Sequence, residues 1–357
     1  MNFLAADRAV LERLLPGFDR ELAALPFGAT ERPGNPAIPL FRARGGPGLL
    51  VPAAAGGPGA PLADLVRIQR AIGSRSPSLA VATTMHHFSV ASIAVAAAAR
   101  PEPGIETALL SAIASENLYV SSGFAEGRSG AGILSSALRV EATEGGWLVS
   151  GSKKPCCLSA SMGILTASLA IPGPGGSEIA VAAIPAGSPG LSRRPFWSGG
   201  ALGGAESDEV VLDGVFVPEE AVAPLEGEVQ ARALFELGMA SFGTLLAASY
   251  AGIASGLVER AIRASRGRPA ARERLAIDLD RATDDLVAAA VRIESGEVRD
   301  VVGLRSRVHE TVASVARSSF ELLGGIAFAT DAEVAERFVA SHAMVFHPPG
   351  HGDPSAS

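Results

Sequence analysis

Between Tyr119 and Val222 the apolar residues of this chain recur at alternate positions in short runs, and on either side they recur at the spacing of a helix. That order constrains the fold more than any single motif does, because strands and helices bury apolar residues on differently shaped faces and each needs a second layer to cover it. The middle runs are Ala137 to Glu141, Trp147 to Ser150, Ile179 to Ile184 and Glu209 to Leu212, bounded by Gly and Pro clusters. They predict short strands, with Pro172-Gly173-Pro174-Gly175-Gly176 as the candidate hairpin tip.

Before this region, Leu4 to about Leu25 predicts a helix that Pro26, Pro33, Pro36 and Pro39 bring to an end. Leu49 to Ala60 reads as an extended, strand-like segment closing in a Gly/Pro turn, and Leu62 to Ile72, Ser78 to Arg100 and Ile105 to Ser115 read as Ala-rich helices. After it, Ala233 to Ser265, Arg272 to Ser295 and Val301 to Gly324 predict long helices. The expected partition is an N-terminal helical domain over 1–118, a middle β-domain over 119–223, a C-terminal helical bundle over 224–350 and a Pro/Gly-rich tail over 351–357. The fold class is α+β.

Charge and cysteine usage exclude several function classes. With 37 acidic against 30 basic residues, a formal charge of -7 and no long basic run, nucleic acid is not an expected partner. The two cysteines, Cys156 and Cys157, are adjacent and so cannot staple distant segments or form a spaced metal-binding pair. No secretory signal is visible at the N-terminus, which makes a cytoplasmic protein the expectation. Gly238 to Val258 carries no charge and is about long enough to cross a bilayer. Its Gly, Ala and Ser content and the lack of an aromatic belt favour a core helix packed on all sides, so no membrane association is expected.

Neither a GxxxxGK[ST] loop nor a strand followed by GxGxxG is present, so P-loop and Rossmann chemistry have no support. Four other segments, in order, resemble the acyl-CoA dehydrogenase superfamily: VPAAAGGPGA (Val51 to Ala60), GFAEGRSGAG (Gly123 to Gly132), GWLVSGSKKPCC (Gly146 to Cys157), and SDEVVLDGVFVPEEAV (Ser207 to Val222) together with ELLGGIAF (Glu321 to Phe328). The resemblance implies an N-terminal helical domain, a small middle β-barrel or sandwich and a C-terminal four-helix bundle, with FAD held between them. It implies cofactor contacts at Phe124, Ala125, Gly130 and Ala131, where Ala125 replaces a hydroxyl-bearing Thr, and at Cys156 and Cys157, where Cys157 replaces another Thr and Pro155 a flavin-shielding Trp. Glu126 and Lys153 match the family's Glu and Lys. Gly324, Gly325 and either Arg263 or Arg268 would meet the cofactor of a neighbouring subunit, which makes a homodimer or homotetramer the expected assembly.

Family members remove an α-proton from an acyl thioester with a Glu while hydride passes to the flavin. Here no carboxylate lies between Glu336 and Asp353, and Arg266 to Pro269, the alternative position, holds none either. His347 is the titratable group nearest the missing Glu, and its FHPP setting resembles flavin monooxygenase-like relatives and divergent dehydrogenases of biosynthetic pathways. It is the candidate catalytic residue, as base or as hydrogen-bond donor, against the plainer reading that it caps the last helix. His86 and His87 read first as core histidines, and Tyr250 as a pocket-lining or core residue. The leading expectation is α,β-dehydrogenation of an acyl thioester on CoA or a carrier protein, with an electron-acceptor flavoprotein or a flavin reductase as partner. The alternatives are a monooxygenase using reduced flavin and a non-catalytic binding subunit.

Overall fold

A computed structural model describes residues 3–127, 136–173, 176–224 and 228–347, without the side chains of 228–234. The N-terminal part holds helices α1 (Ala5–Leu14), α2 (Phe18–Ala24), α3 (Phe27–Thr30), α4 (Ala37–Ala43), α5 (Leu62–Arg75), α6 (Pro77–Ala98) and α7 (Ile105–Glu116). The single helix expected over Leu4 to Leu25 is broken between Leu14 and Phe18, where Pro16 and the left-handed Gly17 end one helix and start another. The strand-like reading of Leu49 to Ala60 is corrected as well. The segment is compact, entered from a 3-10 turn at Gly46–Gly48 and holding another at Ala53–Ala55. Its prolines and glycines favour turns over a paired strand.

Helix α6 starts where sequence chemistry says it should. The Ser76 hydroxyl accepts the Leu79 amide and Pro77 occupies the first turn. Glu31 closes the same helix start, its carboxylate accepting the Ser78 amide at 3.0 Å and the Ser76 and Ser78 hydroxyls at 3.0 and 2.6 Å.

The middle region forms two four-stranded sheets from β1 (Tyr119–Gly123), β2 (Arg139–Thr143), β3 (Gly146–Cys156), β4 (Met162–Gly173), β5 (Gly176–Pro185), β6 (Leu191–Arg194), β7 (Asp208–Pro218) and β8 (Val222–Pro224). One runs β1-β4-β5-β8 and the other β2-β3-β7-β6. The β4–β5 hairpin pairs up to Gly173 opposite Gly176, as the tip composition predicts; Pro174 and Gly175 lie outside the described residues. Leu165, Leu169, Ile184, Val149, Val210, Leu212 and Val215 fill a core of its own in this region.

The C-terminal part comprises α8 (Glu228–Arg263), α9 (Pro269–Glu294), α10 (Val301–Thr330) and α11 (Ala332–Ser341), then a 3-10 turn at Ala343–Phe346. Its core is continuous with that of the N-terminal helices, so helices distant in sequence bury one shared interior. The uncharged segment of α8 spends its surface there, 89% of its most apolar window being buried inside the protein. Glycines bring α5 against α8: a Cβ on Gly73 would lie 2.5 Å from the Ser249 carbonyl oxygen, and one on Gly252 would lie 2.4 Å from that of Arg70. Side chains at those positions would force the axes apart.

Candidate active site

The β-domain meets the helical core where β1 and β3 end. At the end of β1, Phe124 and Ala125 are half-buried, and the Ala125 carbonyl accepts the Lys154 amide at 2.9 Å. The two motif residues Glu126 and Lys153, matched separately in the sequence, form one ion pair at 2.7 Å with both side chains nearly inaccessible. Glu126 also accepts the Ala137 amide at 2.9 Å, and Lys153 donates to the Ser168 hydroxyl at 3.0 Å. This buried pair ties the loop after β1 to β3 and β4 and so fixes the backbone at Phe124 and Ala125. Gly130 and Ala131 lie outside the described residues.

The adjacent cysteines separate in role. Cys156 belongs to the β-domain core, its thiol 3.4 Å from the Lys153 carbonyl. Cys157 sits 3.1 Å from the Ser207 hydroxyl, while its carbonyl accepts the Ser121 hydroxyl at 2.6 Å. Burial pushes the Cys156 thiol up to about 12 and that of Cys157 up to about 11. Both stay protonated and unreactive at neutral pH. Cys157 lies near Tyr250 on α8, and burial keeps that phenol protonated.

Tyr250 is fully buried, and its hydroxyl lies 2.9 Å from Nε2 of His347. His347 therefore does not simply cap the last helix; it closes back onto α8. Arg305 of α10 holds it there by donating to the carbonyl oxygens of His347 at 2.7 Å and Met344 at 3.1 Å. Burial, and then the Arg305 charge, bring His347 down to about 4, so the imidazole is neutral at pH 7. Burial likewise brings Arg305 down to about 10, still cationic at that pH. The Arg305 guanidinium lies 6.0 Å from the Phe242 ring centre, and Phe242 packs edge-on against Phe88 of α6 at 5.2 Å. These contacts connect Cys157, Tyr250, His347, Arg305, Phe242 and Phe88 in one aromatic-walled neighbourhood. Among the described residues no carboxylate acts on Tyr250 or His347.

His86 and His87 are both inside. His86 is satisfied, Nδ1 accepting the Val120 amide at 2.9 Å and Nε2 lying 2.8 Å from the Pro47 carbonyl. His87 stacks edge-on against Phe41 and His86 and, among the described residues, has no hydrogen-bond partner at either ring nitrogen. Arg263 is exposed in the last turn of α8, thirteen residues past Tyr250 and so about 20 Å along the helix from it. Gly324 interrupts α10 with φ 83, and Gly325 beside it is exposed. Leu322 packs under Gly267 in the α8–α9 turn, which puts Arg263 and the glycine pair at one end of the bundle, away from His347. Sequence reasoning missed Arg305, Ser207, Phe88 and Phe242. Ser207 opens the Ser207 to Val222 segment without having been singled out there; Arg305, Phe88 and Phe242 belong to no spaced motif, and only the helical register of α6, α8 and α10 brings these three together.

Two helical parts sharing a core, a two-sheet β-domain between them in sequence and a polar cluster where the sheets meet α8 define the class: the chain belongs to the acyl-CoA dehydrogenase superfamily of flavoenzymes. Within it, the chain is 41% identical over 360 residues to isobutylamine N-hydroxylase of Streptomyces viridifaciens, covering 98% of this chain and 95% of that one. Among solved structures it is similar to KijD3 in complex with FMN and an amino-sugar nucleotide, with TM-score 0.82, 18% identity and coverage of 98% and 91%. It is also similar to the prolyl acyl carrier protein oxidase AnaB, with TM-score 0.78, 15% identity and coverage of 96% and 94%. No protein-family model matches the chain.

Proposed function

We propose that this protein is a flavin-dependent monooxygenase that hydroxylates the nitrogen of a small aliphatic primary amine. The observation carrying this reading is the end-to-end 41% identity with an isobutylamine N-hydroxylase. The site agrees with it. Phe88 and Phe242 offer an apolar wall suited to a short alkyl chain, and the polar face consists of Tyr250, His347, Arg305 and Cys157. The α,β-dehydrogenation of an acyl thioester, expected from the superfamily resemblance, has less support, since no carboxylate among the described residues acts on the Tyr250–His347 pair.

The residues present fit a flavin. The backbone at Phe124 and Ala125 lies half-buried at a strand end, where it can meet the pyrimidine edge, and Cys157 with Ser207 offers a thiol and a hydroxyl beside it. FAD is the expectation from the superfamily and FMN is the flavin in KijD3; either presents the same ring to these groups. When bound and reduced, the flavin supplies the two electrons with which dioxygen delivers one atom to the substrate nitrogen and the other to water. The protein's part is to hold the amine as a neutral nucleophile against the Phe88–Phe242 wall, to exclude bulk water and to present hydrogen bonds from the Tyr250–His347 pair. Arg263, Gly324 and Gly325 complete the cofactor site of a second subunit, and a flavin reductase is the partner that renews the reduced flavin.

Purified protein supplied with chemically reduced flavin, air and a panel of amines tests this reading by mass spectrometry. The expected product is the N-hydroxylamine of a C3 to C5 alkylamine. No hydroxylamine from any amine, together with anaerobic bleaching of bound flavin by an acyl thioester, would overturn it in favour of dehydrogenation.

A further inference from the structure

His347 is held by two tethers: the Tyr250 hydroxyl at Nε2, and the Arg305 guanidinium at the His347 backbone carbonyl. The rings of Tyr250 and His347 stand 5.7 Å apart at 67°, so the phenol approaches the imidazole edge rather than its face. The contact at Nε2 is the only side-chain hydrogen bond of His347 among the described residues. Two arrangements satisfy the 2.9 Å contact: the phenol donates to a bare Nε2, or a protonated Nε2 donates to the phenol oxygen. Phenols lose a proton near pH 10, whereas a neutral imidazole N–H is a much weaker acid, and a bare imidazole nitrogen is a much better acceptor than a phenol oxygen. Donation by the phenol is therefore the stronger bond. The surroundings favour the same arrangement. Burial raises Tyr250 and keeps its hydroxyl protonated, while His347 is neutral and has one bare nitrogen to offer.

We infer that Tyr250 is a positioning residue that donates to Nε2 of His347 and thereby fixes the imidazole as its Nδ1–H tautomer, so that the ring offers the site a hydrogen-bond donor and not a base. The partner at one ring nitrogen decides which nitrogen carries the proton. A donor suits a reaction that returns an oxygen atom as water. Removing an α-proton from a thioester would need the bare nitrogen that Tyr250 has already taken. The catalytic part of this inference rests on the monooxygenase reading, whereas the tautomer does not.

Nitrogen-15 spectra of the protein labelled at histidine test it at pH 7.5. The spectrum of His347→Gln identifies the His347 signals among those of the six histidines by their loss. The expected wild-type pattern is a protonated Nδ1 and a bare Nε2 at His347, and Tyr250→Phe moves that ring to a mixed or Nε2–H pattern. Turnover by Tyr250→Phe with reduced flavin and the amine falls about 100-fold in kcat, with KM changed by less than about threefold. An Nε2–H pattern in the wild type overturns the inference, and so does an unchanged Nδ1–H pattern in Tyr250→Phe. If Tyr250→Phe does not fold, the wild-type spectrum decides. A correct tautomer in a protein that hydroxylates no amine overturns the proposed function and leaves the tautomer assignment standing.

Discussion

Glu126 and Lys153 show how much a buried charge depends on its partner. Each sits within the protein and each would be costly alone; together they cancel, with the Ala137 amide and the Ser168 hydroxyl taking part of the remaining hydrogen-bonding capacity. Glu126→Gln leaves the ammonium uncompensated and is expected to cost about 3–5 kcal/mol in chemical denaturation. A Glu126→Leu, Lys153→Met double variant is expected to recover most of that loss. His86 makes the complementary case for a neutral group. The folded chain holds it at about 4 against an ordinary 6.5, so between those values the unfolded chain binds the extra proton. The stability this contributes is present above pH 6.5 and drains away as pH falls, by about 1.4 kcal/mol at pH 5.5. Denaturation of wild type and His86→Gln at pH 7.5 and 5.5 checks this: wild type should lose about that much more than the variant over the interval. Equal losses would mean that His86 keeps its proton in the folded state.

At the scale of elements, the α5–α8 crossing is set by absent side chains. A methyl on Gly252 meets the Arg70 carbonyl at 2.4 Å, and that oxygen belongs to helix backbone that cannot rotate away. Gly252→Ala is expected to lower stability by about 1–3 kcal/mol, the range for overpacking a tight interior, whereas Gly296→Ala, where nothing lies within 4 Å of the added methyl, fills no contact and tests only the strain of φ 84. Thermal melts separate the two, and a neutral Gly252→Ala would show that the crossing can relax. Helix type and order were legible because α5 to α10 are long and keep one period. The short segments before Leu62 were not, since a few residues between prolines have no period to read. The helix end read at Gly324 is instead a kink: Gly324 takes φ 83, which a residue without a Cβ adopts freely, and α10 runs on to Thr330. The candidate site was half legible. Phe124, Ala125, Cys157, Tyr250 and His347 stood out from motif position or residue type. Arg305, Phe88 and Phe242 did not, because their meeting depends on the relative rotation of three helices, which no local pattern encodes.

For the whole molecule, the shared helical core leaves one end of the bundle with apolar side chains facing outward. Ile326 is 77% exposed and Phe328 60%, both directly after the Gly324–Gly325 break, and Val339 on α11 is 54% exposed. Phe320 ties the two helices together beneath them, stacked on Phe338 at 4.4 Å and edge-on to Phe328 at 5.6 Å. Apolar groups gathered at one place on a surface mark an association site. The glycine pair that the superfamily resemblance assigns to a neighbouring subunit's cofactor lies on the same segment. The two features together predict a homo-oligomer in which assembly and flavin binding are linked. Light scattering of the purified protein should give a mass of two or four chains. Ile326→Asp combined with Phe328→Asp should shift it toward one chain without unfolding the helices, because neither side chain is buried in the isolated subunit. In the same variant flavin affinity should fall by roughly tenfold or more, about 1.4 kcal/mol, since binding and assembly then share one equilibrium. A monomeric variant that binds flavin as tightly as wild type would place the whole cofactor site within one chain, and would remove Arg263, Gly324 and Gly325 from it.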